Sequence, residues 1–222
     1  MGKKGDPFMK KRVSAFVLAL LMMVSLFGCA PKEELYAGGS VSARTYENAL
    51  LGLQCITPAD WSYLTEAELL QLGDVPALEE EQTMEECLTA HLNNGGQVQD
   101  MYAMTEDGLQ TVNVMVTKID LAAQEMTVAD FADLGAKEVR EVYEEMGITE
   151  VNMSREQVDF LGETVEAIRL SGAYEDVPLH SLQLCLERGS YLCVVTFNSY
   201  VEDTTETLMK FFRPFVAEEE EK

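Results

Sequence analysis

The sequence predicts an α+β fold, an antiparallel β-sheet with helices packed on both faces. Three observations lead there. In residues 109–119, Val112, Val114 and Val116 alternate with Thr111, Asn113 and Thr117, the period of a strand. In residues 128–146, apolar side chains recur instead at spacings of three and four, the stripe of an amphipathic helix. The elements run hairpin, two short helices, hairpin, long helix, strands, final helix. That order lacks the βαβ alternation of a doubly wound parallel sheet.

The N-terminus comes before any of this. Residues 1–12 are basic, and residues 13–27 form an almost unbroken apolar run. About 15 residues suit a signal-peptide core, whereas a spanning helix needs about 20. The run ends in Leu26-Phe27-Gly28-Cys29. This resembles the signals of bacterial lipoproteins: Leu26 lies three before the cysteine and small Gly28 just before it. Phe27 departs from the small or hydroxyl residue usual there. The resemblance implies that Cys29 is lipidated with fatty-acyl (palmitate-type) chains and becomes the mature N-terminus. The partner so implied is the lipid bilayer, and the location is the extracytoplasmic face of a bacterial cell membrane. The expected organisation is a signal peptide over 1–28, a flexible tether over 29–40, a domain over 41–217 and an acidic tail over 218–222.

Within the domain, residues 41–47 and 50–57 read as strands around Asn48-Ala49, with Trp61 in the turn beyond Pro58. Thr65 and Glu68 make a capping box for a short helix that Gly73-Asp74-Val75-Pro76 ends. Residues 77–83 read as an acidic loop, and 84–92 as a second short helix. Residues 97–104 and 109–119 flank Thr105-Glu106-Asp107-Gly108, a hairpin signal. Thr127 caps the long helix, whose stripe is Val128, Phe131, Gly135, Val139, Val142 and Met146, and Gly147 closes it. Asp133, Lys137 and Glu141 lie opposite the stripe. Residues 151–160 and 163–174 read as strands about Leu161-Gly162, and 180–187 and 190–198 as strands joined at Arg188-Gly189. Residues 191–197 are apolar on both parities, the pattern of a strand covered on both faces. Asp203 caps a last helix over roughly 204–212.

Several stretches together resemble the PsbP-like fold, an α/β/α sandwich around an antiparallel sheet. They are Tyr46-Glu47-Asn48, Leu51-Gly52-Leu53, Ile56-Thr57-Pro58-Ala59-Asp60-Trp61, the Leu161-Gly162 step, and Gly189-Ser190-Tyr191 before Val194-Val195-Thr196-Phe197. That superfamily includes photosystem II PsbP proteins, a Ran-binding nuclear import factor and bacterial DcrB-like lipoproteins. The resemblance spans about residues 41–215 and brings no catalytic residue with it. It implies a binding or assembly-assisting protein.

The charge narrows the partners. The chain of 222 residues carries a net −23. The first 28 residues hold five basic side chains against Asp6, so their removal leaves about −27, with 11 basic and 38 acidic residues. Such a chain repels phosphate backbones, and nucleic acid is not an expected partner. A protein, a peptide or a small molecule remains open as partner.

Reactive constellations are sparse. The two histidines, His91 and His180, have no partner at metal-ligand spacing. No phosphate-binding glycine loop, serine-nucleophile elbow or calcium loop is present. The expectation is therefore no enzyme, no catalytic residue, no metal and no cofactor. Cys55, Cys87, Cys185 and Cys193 lack C-x-x-C pairing and can be free or bridged. With a two-residue turn, Cys185 and Cys193 face opposite sides of their hairpin; a three-residue loop would pair them. The function expected is a non-catalytic, membrane-anchored binding or assembly module. One alternative is a cell-surface hydrolase using Asp60, Glu66 and Glu68 near Trp61. Another is the solute-binding component of a transporter, for which the chain looks short of two lobes.

Overall fold

Short turns dictate most of the strand pairing. The computed structural model describes residues 35–217. Strands β5 (Gln97–Thr105) and β6 (Gln110–Lys118) turn at Asp107-Gly108, where the Asp107 carboxylate accepts from Thr105 Oγ1 at 2.7 Å and Leu109 N at 3.0 Å. Strands β7 (Thr149–Phe160) and β8 (Glu163–Tyr174) turn at Leu161-Gly162, with φ of 55° and 86°. Strands β9 (Val177–Arg188) and β10 (Tyr191–Ser199) follow. With β4 (Trp61–Tyr63) these build a seven-stranded antiparallel sheet in the order β4-β5-β6-β10-β9-β8-β7. β10 sits near its middle and is buried along its whole length, as its apolar sequence requires.

A second antiparallel sheet, β1-β2-β3-β11, consists of Ser40–Ser42, Thr45–Asn48, Leu53–Ile56 and Phe212–Pro214. Four helices are present among the described residues: α1 (Glu66–Leu72), α2 (Met84–Asn93), α3 (Val128–Glu145) and α4 (Thr205–Met209). One face of the large sheet, through Val114, Leu184 and Val195, packs on the small sheet, α2 and α4. The other face, through Ile168, Leu170 and Leu192, packs under α3. The α+β architecture with helices on both faces is present, and one of those faces also carries the second sheet.

Details differ from the sequence reading for identifiable reasons. Trp61 is not in a turn: it opens β4 opposite Thr105, and its ring meets Phe211 edge-on at 5.2 Å. β9 begins at Val177, before the expected residue 180, because Glu175 and Asp176 both take positive φ and make a two-residue turn. The last helix ends at Met209, and Phe212–Pro214 leaves it to pair with β3. Its N-cap is Thr204, but Asp203 still accepts from Thr205 N at 3.1 Å. On α3 the buried position is Tyr143 rather than Val142, and Asp133 reaches Arg155 at 3.1 Å. The domain also begins earlier than residue 41. Tyr36 is fully buried and its N–H donates to Thr89 Oγ1 at 2.7 Å, so the end of the expected tether belongs to the core. The expected signal peptide over 1–28, Cys29 and the expected acidic tail lie outside the described residues.

Candidate functional site

A β-bulge places the one buried carboxylate of β5. The register of β5 against β6 shifts between Gln99 and Met101, leaving Asp100 as the extra residue, turned toward the small sheet. Asp100 accepts from Tyr46 Oη, from Asn48 Nδ2 at 2.9 Å and from Gly39 N at 2.9 Å. Asn48 Nδ2 also reaches Tyr36 Oη at 3.3 Å. A Cβ on Gly39 would stand 2.2 Å from the Tyr46 ring, so only glycine fits there. Burial, with the Asp100 charge adding to it, holds the Tyr36 and Tyr46 hydroxyls well above their usual pKa. This cluster ties residues 36–39 to the sheet. Its acceptor is already satisfied by three donors, which marks it as a fastening rather than a reactive acid.

The second grouping is a neutral polar layer on the α3 side of the large sheet. Register puts Gln97 opposite Thr117, Asn113 opposite Thr196, and Thr196 opposite Gln183. One step along, Asn198 lies between Thr111 and Ser181 and donates to Thr111 Oγ1 at 3.1 Å. All these side chains are buried. Gln99 Nε2 donates to Met101 O at 2.7 Å and Val114 O at 2.9 Å, which fixes the amide and leaves Oε1 without a partner. Thr117 Oγ1, Ser181 Oγ and Gln183 Oε1 are likewise unpartnered. Each such buried group costs about 1–3 kcal/mol unless something donates to it. Tyr102 and Tyr143 stand close to Tyr200, whose hydroxyl is held well above its usual pKa by burial first and by those neighbours second.

An open cleft of about 470 Å³ lies between the β7–β8 turn, α4 and β11. Arg169 lines it and bridges Glu156 at 2.8 Å, Asp203 at 3.4 Å and Glu206 at 3.6 Å. Its charge is therefore already met by three carboxylates.

The residues singled out in the sequence fall elsewhere. His91 Nε2 lies 3.2 Å from Gln97 O, its ring against Gly96. His180 pairs in register with Ser199 and Ser171. Cys55, Cys87, Cys185 and Cys193 are free and buried. The β9–β10 turn is Gly189-Ser190, which sets Cys185 opposite Val194 and Cys193 opposite Leu186, on opposite faces. Burial pushes the Cys55 and Cys185 thiols up to about 12. Of the hydrolase candidates, Trp61 is buried, Asp60 and Glu66 are exposed, and the Glu68 carboxylate is engaged in the helix cap, accepting from Thr65 N and Oγ1, both at 2.9 Å. The polar layer was missed by sequence reasoning. No pattern marks it: Thr111, Asn113 and Thr117 alternate along β6, but Met115, Leu192, Val194 and Cys185 share the same face.

No family model matches the chain, and no curated protein matches it. Among solved structures it is similar to cyanobacterial PsbP (CyanoP) from Synechocystis, with TM-score 0.46 and 15% identity, over 86% of this chain and 99% of that one. It is similar to LpqN, involved in cell envelope biogenesis of Mycobacterium tuberculosis, with TM-score 0.31 and 14% identity, over 72% and 76% of the two chains. A protein of unknown function from Pseudomonas aeruginosa, PA94, gives TM-score 0.26 and 16% identity, over 40% and 58%. The first is a PsbP protein, the family whose fold the sequence resembles. At these scores the likenesses carry no ligand, partner or activity to this chain.

Proposed function

We propose that the chain is a bacterial lipoprotein held at the extracytoplasmic face of the cell membrane through Cys29, and that its domain binds a partner rather than catalysing a reaction. The observation that carries the first part is Leu26-Phe27-Gly28-Cys29 behind a basic segment and an apolar run of about 15 residues. More than one acyl chain gives stable anchoring, at about 0.8 kcal/mol per buried CH2. No helix of the described residues is long and apolar enough to cross a membrane. Because Tyr36 is already in the core, only residues 30–35 separate the anchor from the domain. Fully extended they reach about 20 Å, so the domain would work close to the bilayer.

The second part is supported by how the chemistry-bearing residues are engaged. Asp100 is saturated by donors, Glu68 serves a helix cap, and the free thiols are buried. The test concerns Cys29. Cys29→Ala should abolish incorporation of radiolabelled fatty acid and release the protein from the membrane fraction after processing. Labelling equal to wild type would sink the anchor.

A further inference from the structure

The two ends of the large sheet carry different kinds of turn. At one end lie Ala49-Leu50-Leu51-Gly52, Asn94-Gly95-Gly96, Leu161-Gly162 and Gly189-Ser190, all uncharged, with exposed Ala122 and Ala123 in the loop after β6. At the other lie Glu106-Asp107, Glu175-Asp176, Glu202-Asp203 and the last two residues of α3, Glu144-Glu145. β9 runs from one end to the other in 12 residues, about 36 Å.

The chain enters at the uncharged end. The Tyr36 ring meets Tyr191 at 5.2 Å, and Tyr191 opens β10 opposite Lys118 and Arg188. Arg188 Nε donates to Leu51 O at 3.1 Å, and Phe215 N donates to Gly52 O at 3.0 Å. Those bonds bring Leu50 and Val216 to this end, 37% and 77% exposed, while Leu35, next to Tyr36, is 46% exposed. The charges here are mixed: Lys118 and Arg188 stand among Asp120, Glu163 and Glu187, and Arg188 bridges Glu163 at 3.1 Å.

We infer that this end of the domain rests on the lipid surface, with Leu35, Leu50 and Val216 at the headgroup boundary and the acidic end turned away. The inference rests on reading Cys29 as the anchor. Residues 30–35 join that anchor to Tyr36 and reach about 20 Å, so the uncharged end is always the nearer one to the lipid attachment. A tether of that length still lets the domain lie on its side, and two effects select the upright pose. Acidic turns brought against the bilayer would lose hydration, whereas exposed apolar side chains gain by leaving water.

The probe is the lipidated full chain in phosphatidylcholine vesicles. Net-neutral headgroups are used because anionic ones would repel a chain of net −23, whose residues 218–221, all Glu, follow Val216 closely. Cys55, Cys87, Cys185 and Cys193 are free and buried, so a thiol-reactive fluorophore on the folded protein goes to an introduced surface cysteine. Flotation with the vesicles reports the anchor, and quenching by nitroxide on the lipid headgroups reports the surface. The dye on Leu50→Cys should shift to the blue and lose most of its emission to the nitroxide. On Val177→Cys, 44% exposed beside Glu175-Asp176, it should do neither. Leu50→Glu should relieve the quenching of a dye on Val216→Cys while the protein still floats at an unchanged melting temperature. A chain that does not float would overturn the anchor and this inference with it. A chain that floats with the Leu50 dye unquenched, or with the Val177 dye quenched as strongly, would overturn this inference alone.

Discussion

At the scale of single residues, Asp100 decides where the domain begins. It is a buried carboxylate with no cation among its hydrogen-bond partners, so it persists only because Tyr46, Asn48 and Gly39 all donate to it. Hydrogen bonds to a charged group contribute about 1.5–3 kcal/mol. Tyr46→Phe should therefore lower stability by about that much, seen as a lower urea midpoint at unchanged m-value. Residues 36–39 should also become more open to proteolysis. A midpoint shift equivalent to less than about 0.5 kcal/mol, the scatter of neutral surface changes, would mean the network is idle. Neither Asp100 nor the neutral layer could be placed from sequence. A bulge leaves no mark in the residue pattern, so Asp100 reads as an outward polar residue of an ordinary strand. Thr111, Asn113 and Thr117 read correctly as the other face of β6. Alternation says which face a side chain takes, not whether that face meets water.

At the scale of elements, local chemistry was legible wherever side chain and backbone close a loop on each other. Thr65 with Glu68 and Thr127 with Asp130 both form the capping boxes their spacing predicts. Thr83 with Glu86 forms a third from the same pattern, ahead of the helix whose start had been placed at Met84. The Glu175-Asp176 turn was not legible, because neither residue is the glycine or asparagine that usually announces positive φ. β11 was lost for another reason: Leu208, Phe211 and Phe212 keep helical spacing, although Phe212 packs on Phe160 and Phe197 at 5.7 Å as part of a strand. Pro214 fits there because β11 is an edge strand. These caps give a paired prediction. Thr127→Ala should cost about 1 kcal/mol by urea denaturation, since Oγ1 accepts from Asp130 N at 3.1 Å. Asp203→Ala should be the costlier change, because its carboxylate accepts from Thr205 N at 3.1 Å and Thr205 Oγ1 at 2.7 Å, whereas Thr204 makes no side-chain capping bond and Thr204→Ala should lose only the bond its Oγ1 accepts from Gln110 Nε2 at 2.9 Å. The reverse order for Thr204 and Asp203 would show that the α4 cap is misassigned.

At the scale of the whole molecule, the full burial of β10 announced layers on both sides of one sheet, and that much was readable. The small sheet was not, because strands of three or four residues are too short to display a period. The two cores so formed lock away groups that would otherwise ionise at alkaline pH. Burial pushes Cys55, Cys185 and Tyr102 up to about 12, and drives Cys193 and Tyr143 higher still. In the unfolded chain, thiols titrate near 8.5 and phenols near 10. Above those values the unfolded state has lost protons that the native state keeps. Stability is therefore fully present below about pH 8.5 and falls as pH rises toward 12, by about 1.4 kcal/mol per pH unit for each fully buried group. Thermal melts between pH 8 and 11 should show the decline, and Cys185→Ala should reduce its slope. Self-repulsion of a chain at net −23 would also lower stability as more groups become negative. Salt separates the two causes: at about 1 M the screening length falls to about 3 Å, which quenches surface repulsion but leaves the burial of a thiol untouched. A decline that survives high salt assigns it to the core, whereas one that disappears assigns it to the acidic surface.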